Sequence, residues 1–339
     1  MWVNVRQFCA DRRRALVFLP LFVWLFPSSV GATSEQLITE AMRGEQLILN
    51  RRYDEALDRF RKLAADHPES PTGTFGELAI WQTRMFENYD FRFAAQYDEA
   101  LRRHKPTVDR VMAMRDPTDW DLFVCGASLG MQGFYLARTG SWLRALGASD
   151  RAMQALHKLL WRNPQFVDAK LGIGPYEFWR SVFTKSIRFL PFFRDQRVAG
   201  IAKAEEVARE GQYAREMAQA NLGFLYAEEK RYSEAAHELT AMVARYPDNI
   251  VLRMQLGQIY LETKEYTKGA AEFRRILAID PAITKAEFYL GLALTREGKA
   301  TSEARSAFTH YLATQPERDW AAAAVALLKR LDQRDNLLR

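Results

Sequence analysis

The sequence has few of the residues that form disulfides or hold metal ions. Cysteine occurs twice, as Cys9 and Cys125, and Cys9 lies in a segment with the composition of a cleaved signal, so a mature chain would form no internal disulfide. The five histidines show no His-x-x-x-His pair, the spacing that places two imidazoles on one helical face as metal ligands. We therefore expect no metal site and no cofactor, and a buried, unreactive Cys125.

Motifs that carry catalysis are also missing. The sequence has no Gly-rich phosphate loop, no Cys-x-x-Cys-His haem motif and no Gly-x-Ser-x-Gly nucleophile turn. Acidic pairs such as Glu205-Glu206 are typical of solvated helix faces. The sequence predicts a protein that is not an enzyme. The alternative is an enzyme with an unrecognised groove site, built from residues far apart in the sequence.

Charge of one sign and long apolar runs are scarce as well. The formal net charge is +6, of which residues 1–32 contribute +3, as four arginines less one aspartate. The remaining +3 is too small to indicate nucleic-acid binding. The apolar run at residues 15–26 has twelve residues, whereas a helix that spans a membrane needs about 20.

Residues 1–32 have the three zones of a secretory signal peptide. Three consecutive arginines precede the apolar run, and small residues follow it up to Val30-x-Ala32. This ending has the small-x-small pattern of a signal peptidase site. We expect cleavage after Ala32 and export to the bacterial periplasm.

The most regular feature is a pattern that occurs three times between residues 216 and 318. Each copy contains a Leu-Gly pair, a small and a large residue four positions apart, and a closing proline; the pairs begin at Leu222, Leu256 and Leu290, 34 residues apart. Glycine lets a partner helix approach closely, residues four apart share a helical face, and proline ends a helix. The pattern predicts three hairpins of two helices each.

This 34-residue pattern resembles the tetratricopeptide repeat (TPR) superfamily. The opening Leu-Gly-x-Gly-x-Tyr-x-x-Trp at residues 171–179 is similar to secreted bacterial TPR proteins of unassigned role. The resemblance implies an all-α fold, a helix-turn-helix solenoid of about seven units that forms a right-handed superhelix. It also implies a protein that binds other proteins.

The repeat pattern divides the chain into five predicted parts. Residues 33–70 hold a further copy, with Gly44, Tyr53 and Pro68 at the expected offsets. In a diverged region, Tyr-Asp-Glu-Ala-Leu at 53–57 recurs 44 residues later, so we expect the first helix of that unit to be long or interrupted around residues 86–93. The predicted parts are the signal peptide (1–32), the first TPR (33–70), diverged TPR-like helical repeats (71–215), three regular TPRs (216–318) and a capping helix (319–339).

One diverged repeat has a late ending. Trp142 stands where the regular repeats have a tyrosine, and the closing Pro164 arrives seven residues late. Seven residues make about two helical turns, so a longer second helix would keep the same buried face.

In TPR proteins the first helices of each pair line a concave surface, and the resemblance places a partner-binding groove there. The predicted groove is largely apolar, with one cation. Its residues are Met217, Phe224, Met254, Gln258, Lys285, Phe288 and Leu292. The alternative is that several of these side chains pack between neighbouring helices.

Residues 176–194 combine seven aromatic residues with four cations. We predict a second docking segment there, with Trp179, Phe183, Phe189, Phe192 and Phe193 as its rings. One hypothesis is that these rings contact a partner or the membrane interface, where basic amphipathic segments bind. The other is that they pack against a helix that begins near Val198.

Together these patterns predict a non-catalytic periplasmic TPR scaffold, which mediates protein-protein interactions in envelope biogenesis or secretion. Its expected partners are proteins of unknown identity, and no nucleic acid. A membrane-peripheral module that uses residues 176–194 is the main alternative.

Overall fold

The computed structural model describes residues 32–183, 194–298 and 301–337. Within these ranges the chain forms α-helices and no strand, and the predicted all-α class is confirmed. The predicted signal peptide lies outside the described residues except for Ala32, where the first helix begins. The predicted handedness of the superhelix stays a prediction.

Fifteen α-helices follow one another along the described part of the chain, and a short 3-10 turn at Val167–Ala169 precedes the seventh. The helices are α1 (Ala32–Leu49), α2 (Tyr53–Asp66), α3 (Thr72–Glu87), α4 (Ala94–Ala113), α5 (Asp119–Arg138), α6 (Trp142–Arg162), α7 (Lys170–Phe183), α8 (Arg197–Glu210), α9 (Arg215–Glu228), α10 (Tyr232–Arg245), α11 (Ile250–Glu262), α12 (Tyr266–Ile279), α13 (Thr284–Glu297), α14 (Thr301–Ala313) and α15 (Arg318–Leu337).

The helices belong to two compact units. The first unit consists of the described residues up to Met85 together with Phe91–Leu225, and the second of Phe86–Asp90 and Tyr226–Arg339. The five residues Phe86–Asp90 therefore pack with the second unit, although their neighbours in the sequence belong to the first. The predicted domain boundaries at residues 70, 215 and 318 stay predictions.

A left-handed residue reverses the chain in several of the hairpin turns. The angle φ is 61° at Arg51 and Lys230, 64° at Lys264 and 81° at Gly140. Each of these residues stands two positions before the tyrosine or tryptophan that opens the next helix. A left-handed residue ends one helix and redirects the chain, which allows the second helix to return antiparallel to the first.

A glycine and an aromatic ring pack together in three of the hairpins. The pairs are Gly44–Phe60, Gly257–Phe273 and Gly291–Phe308. A Cβ atom added to these glycines would lie only 2.5, 2.7 and 2.8 Å from the respective ring, and all three rings are fully buried. The predicted role of the glycine, close approach of the partner helix, is confirmed at these positions.

The diverged region contains six helices, α3 to α8, and several of them are long. Helix α6 has 21 residues, against 14 in α10 and α12, so the predicted extension by two turns is confirmed. Of the two alternatives for residues 86–93, the structure has the interruption, since α3 ends at Glu87 and α4 begins at Ala94. The longer helices keep an apolar face, with Ala148, Ala152, Ala155 and Leu159 buried along α6.

The predicted capping helix is present as α15. It packs against α14 with Ala324 and Leu331 buried, seven residues apart and therefore on one face. Arg305 of α14 forms an ion pair with Asp332 of α15. The face that α14 would otherwise expose is thus covered.

Candidate partner-binding groove

Helices α11 and α13 carry most of the predicted groove, and each is the first helix of a hairpin in the second unit. Helix α11 is capped locally, because Asn249 Oδ1 accepts a hydrogen bond from the Leu252 N–H at 3.1 Å. At α13 the N-cap residue is Ile283, which has no side-chain acceptor. Asn88 supplies the acceptor instead, and its Oδ1 atom accepts a hydrogen bond from the backbone N–H of Lys285 at 2.9 Å. A residue 197 positions earlier in the chain thus caps α13.

The same five-residue segment also contacts α11. Gln258 Nε2 donates a hydrogen bond to the Tyr89 hydroxyl at 3.3 Å. Asn88 and Thr284 exchange hydrogen bonds at α13. Residues Phe86–Asp90 therefore touch both helices that were predicted to face a partner. No local pattern in the sequence indicated this, since the contact depends on a segment far away in the chain.

The seven predicted groove residues differ in exposure. Met217 and Phe224 belong to the first unit and are buried, while Met254, Lys285 and Phe288 are buried in the second unit and Gln258 and Leu292 are partly exposed. For the five buried residues the packing alternative describes what is observed in a single chain. The groove as a partner-binding site stays a prediction, and Gln258 and Leu292 are its accessible members.

Lys285 lies among aromatic rings from three helices. Its Nζ atom donates a hydrogen bond to the Tyr311 hydroxyl at 3.0 Å and lies 3.6 Å from the centroid of the Trp320 ring, a cation–π contact. The Phe288 ring is 5.0 Å from Trp320 and 5.4 Å from Tyr311. The only cation of the predicted groove therefore joins α13 to α14 and α15.

Burial changes the titration of this lysine. Desolvation lowers the pKa of Lys285 to about 8, although the negative charges of Glu317 and Asp90 oppose the shift. An ammonium group removed from water loses hydration that one hydroxyl and one ring replace only in part. Lys285 is thus neutral in a large fraction of molecules near pH 8.

The predicted docking segment is described only in its first half. Trp179 is buried and packs against Phe178 and Phe183, at ring distances of 5.2 and 6.1 Å. Phe183, the last residue of α7, exposes half of its surface. Phe189, Phe192 and Phe193 lie outside the described residues. Trp179 is therefore buried beside rings of its own helix, and both docking by the segment and packing against the helix near Val198 stay predictions.

A buried carboxyl group in α1 was not indicated by the sequence. Neither oxygen of Glu45 has a hydrogen-bond partner among the described residues, and the side chain is fully buried. Burial raises the pKa of Glu45, and the charges of Glu216 and Asp168 raise it further. The neighbouring Gln46 Nε2 donates to Glu216 Oε2 at 2.6 Å. A protonated Glu45 fits these surroundings, because a neutral carboxyl costs less to bury than a charged one.

Few other groups among the described residues could bind a metal ion or take part in a reaction. Among the described residues no three His, Cys, Asp or Glu side chains are placed to hold a metal ion. Cys125 is buried, and burial raises the pKa of its thiol, as expected for an unreactive cysteine. None of the described helices combines the length and the apolar character needed to cross a membrane.

The tetratricopeptide repeat family model matches residues 226–293. This range contains α10, α11 and α12 and most of α13, including two of the Leu-Gly pairs from which the repeat was recognised. Residues 226–293 are thus similar to the tetratricopeptide repeat family, as the resemblance implied. Comparison with curated proteins gives no match.

Solved structures with similar helix arrangements have low sequence identity. PilW, described as a widely conserved type IV pilus biogenesis factor, is 10% identical over 87% of this chain and all of its own, with a TM-score of 0.44. The C-terminal part of a TPR repeat-containing protein from Cytophaga hutchinsonii is 15% identical over 85% of this chain and 99% of its own, with a TM-score of 0.41. A tetratricopeptide repeat protein from Parabacteroides merdae is 12% identical over 89% of this chain and 99% of its own, with a TM-score of 0.40. Likenesses this weak carry no argument about function.

Proposed function

We propose that this chain is a non-catalytic scaffold of the bacterial periplasm that binds a protein partner in envelope biogenesis or secretion. The observation that carries the proposal is the tetratricopeptide family match over residues 226–293 within a run of helix hairpins. Stacked hairpins of this kind present extended surfaces, and repeat proteins use such surfaces to bind other proteins.

The partner contact is proposed at Gln258 and Leu292. These residues occupy equivalent places in consecutive repeats, each directly after the glycine of a Leu-Gly pair, 34 residues apart. Both side chains are partly exposed. Leu292 follows the buried Phe288 by one helical turn and so extends the same face of α13 toward solvent. An apolar side chain of the partner would pack against Leu292, and a polar group would bond the Gln258 amide.

The site is tested by placing a photo-crosslinking residue at Leu292 and, as a control, at Val325. Val325 lies on α15 and is also a partly exposed apolar residue, so both variants should fold like wild type. We expect a discrete adduct with a periplasmic protein from position 292 and none from position 325, and unlabelled wild-type chain should compete it away. Equal adducts from both positions, or none from 292 in a folded variant, would contradict the proposal.

Export has its own test. If residues 1–32 are a signal peptide, chain recovered from the periplasmic fraction should begin at Thr33, because cleavage follows Val30-x-Ala32. N-terminal sequencing of that fraction measures this. Recovery of chain that retains Met1 in the membrane fraction would replace the periplasmic scaffold with an anchored one.

A further inference from the structure

The turn between α5 and α6 exposes three large apolar side chains. Trp142, Leu143 and Leu146 are 60%, 86% and 63% exposed and lie in the first two turns of α6. Trp142 stands two residues after the left-handed Gly140, where the corresponding residue of α2 is Tyr53. Tyr53 is buried. The ring that opens the second helix therefore faces solvent in α6, unlike the ring that opens α2.

The sequence on either side of this turn carries only positive charge. Residues 122–149 contain no aspartate and no glutamate, and their only cations are Arg138 and Arg144, on either side of Trp142. Arg144 is exposed, and no ion pair joins it to a described residue. The guanidinium of Arg138 lies 4.6 Å from the ring centroid of Phe91, which belongs to the preceding hairpin turn and is itself 37% exposed.

The preceding hairpin turn continues this surface. Antiparallel hairpins bring the end of the α3–α4 turn, which holds Phe91, beside the α5–α6 turn, and the guanidinium of Arg138 contacts the Phe91 ring. We call this surface the turn edge. Its residues are Phe91, Arg138, Trp142, Leu143, Arg144 and Leu146.

The chemistry of the turn edge favours an anionic lipid surface over a second copy of the chain. In a two-fold dimer the same patch of both copies meets, so Arg138 and Arg144 of one copy would face the same cations of the other, and like charges repel. At a membrane interface, a tryptophan ring and a few leucines insert at headgroup depth. Arginines beside them are attracted to anionic headgroups.

We propose that the turn edge docks on an anionic phospholipid surface. Trp142, Leu143 and Leu146 insert at the level of the headgroups and the first acyl carbons, while Arg138 and Arg144 lie near the phosphates. Because few apolar side chains insert and none of the described helices spans a membrane, binding is weak, reversible and reduced by salt.

The test compares variants of the full chain on vesicles of phosphatidylcholine with or without phosphatidylglycerol. Residues 1–32 are identical in all variants, so differences between variants report the turn edge. We expect Trp142→Ser/Leu143→Ser/Leu146→Ser to bind phosphatidylglycerol vesicles roughly tenfold or more weakly than wild type. Its melting temperature should be unchanged, because the three side chains are already exposed. Arg144→Glu should weaken binding to phosphatidylglycerol vesicles and leave binding to pure phosphatidylcholine unchanged.

Trp161→Ser is the matched control. Trp161 is 85% exposed and lies at the other end of the same helix, about 29 Å from Trp142 along the axis. Its replacement should leave vesicle binding unchanged. A triple variant that binds like wild type, or a Trp161→Ser variant that loses as much binding, would overturn the proposal.

A second measurement locates the inserted ring without depending on total binding. Brominated phosphatidylglycerol quenches tryptophans that enter the bilayer, and we expect Trp142→Phe to lose part of that quenching while Trp161→Phe loses none. Equal quenching in wild type and Trp142→Phe would overturn the proposal. So would a triple variant that abolishes self-association in sedimentation but leaves vesicle binding intact, because a second copy would then occupy the surface.

Discussion

Replacing Phe308 by alanine should lower the free energy of unfolding of the second unit by about 3–5 kcal/mol. The Phe308 ring is fully buried between α13 and α14, 5.9 Å from the Phe288 ring, and it occupies the space that Gly291 leaves open. Truncation removes apolar surface from the core and leaves a cavity that the packed helices cannot close. Urea unfolding, followed by hydrogen exchange in α13 and α14, measures the loss.

The glycine side of this contact gives a matched pair of variants. A Cβ at position 291 would lie 2.8 Å from the Phe308 ring. Gly291→Ala should therefore lower the free energy of unfolding of the second unit by about 1–3 kcal/mol. Gly147, in α6, has no atom within 4 Å of an added Cβ, so Gly147→Ala should stabilise by about 0.5–1 kcal/mol. In a Phe308→Leu background the effect of Gly291→Ala should shrink, because the shorter side chain leaves room. Alanine effects of the same sign at both glycines would contradict the packing described.

Raising the pH from 8 to 10 should stabilise the second unit. The pKa of Lys285 is about 8 in the folded chain, against 10.5 for an ordinary lysine. Between these values the unfolded chain binds a proton that the folded chain has released, so the free energy of unfolding rises with pH. The gain approaches about 2–3 kcal/mol by pH 10. Above pH 10 stability should fall again, because burial raises the pKa of Tyr311 and the unfolded tyrosine ionises first.

Lys285→Met is the control for this pH dependence. Methionine has a similar length and no charge, so the variant should show no rise in melting temperature between pH 8 and 10. Hydrogen exchange at α13 and α15 assigns the effect to the second unit. If the melting temperature of the wild-type chain is constant between pH 8 and 10, or if that of the variant still rises, Lys285 is not the titrating group.

The repeat spacing determined the local structure of much of this chain. Tyr232 and Tyr266 open α10 and α12, and the late Pro164 correctly indicated that α6 has two additional turns. These features could be predicted because each depends on neighbours within one hairpin. A small residue opposite a large one, an aromatic at the helix start and a proline beyond the end act over fewer than about 35 residues.

Tertiary structure decided which predicted groove residues remain accessible. Periodicity shows that Lys285 and Phe288 lie on one face of α13, but it does not show that Trp320 of α15 covers that face. Nor does it show that Asn88, 197 residues earlier, caps the helix. Whether a side chain is buried depends on every segment that packs against it. A segment remote in the sequence does not change the periodic pattern of the helix that it covers, so the pattern cannot show the burial.

Contacts with distant segments also explain why Trp142 is exposed and Glu45 is buried. Spacing identified Trp142 as the ring that opens a second helix, as Tyr53 does in α2, yet it is 60% exposed. Glu45 stands beside the repeat glycine Gly44 with the appearance of a surface residue, yet it is fully buried near Glu216 and Asp168. The sequence by itself determined the helices, their hairpin turns and their close glycine contacts. Only the packing of distant helices against one another decided which side chains meet water, because that depends on contacts across 100 residues and more.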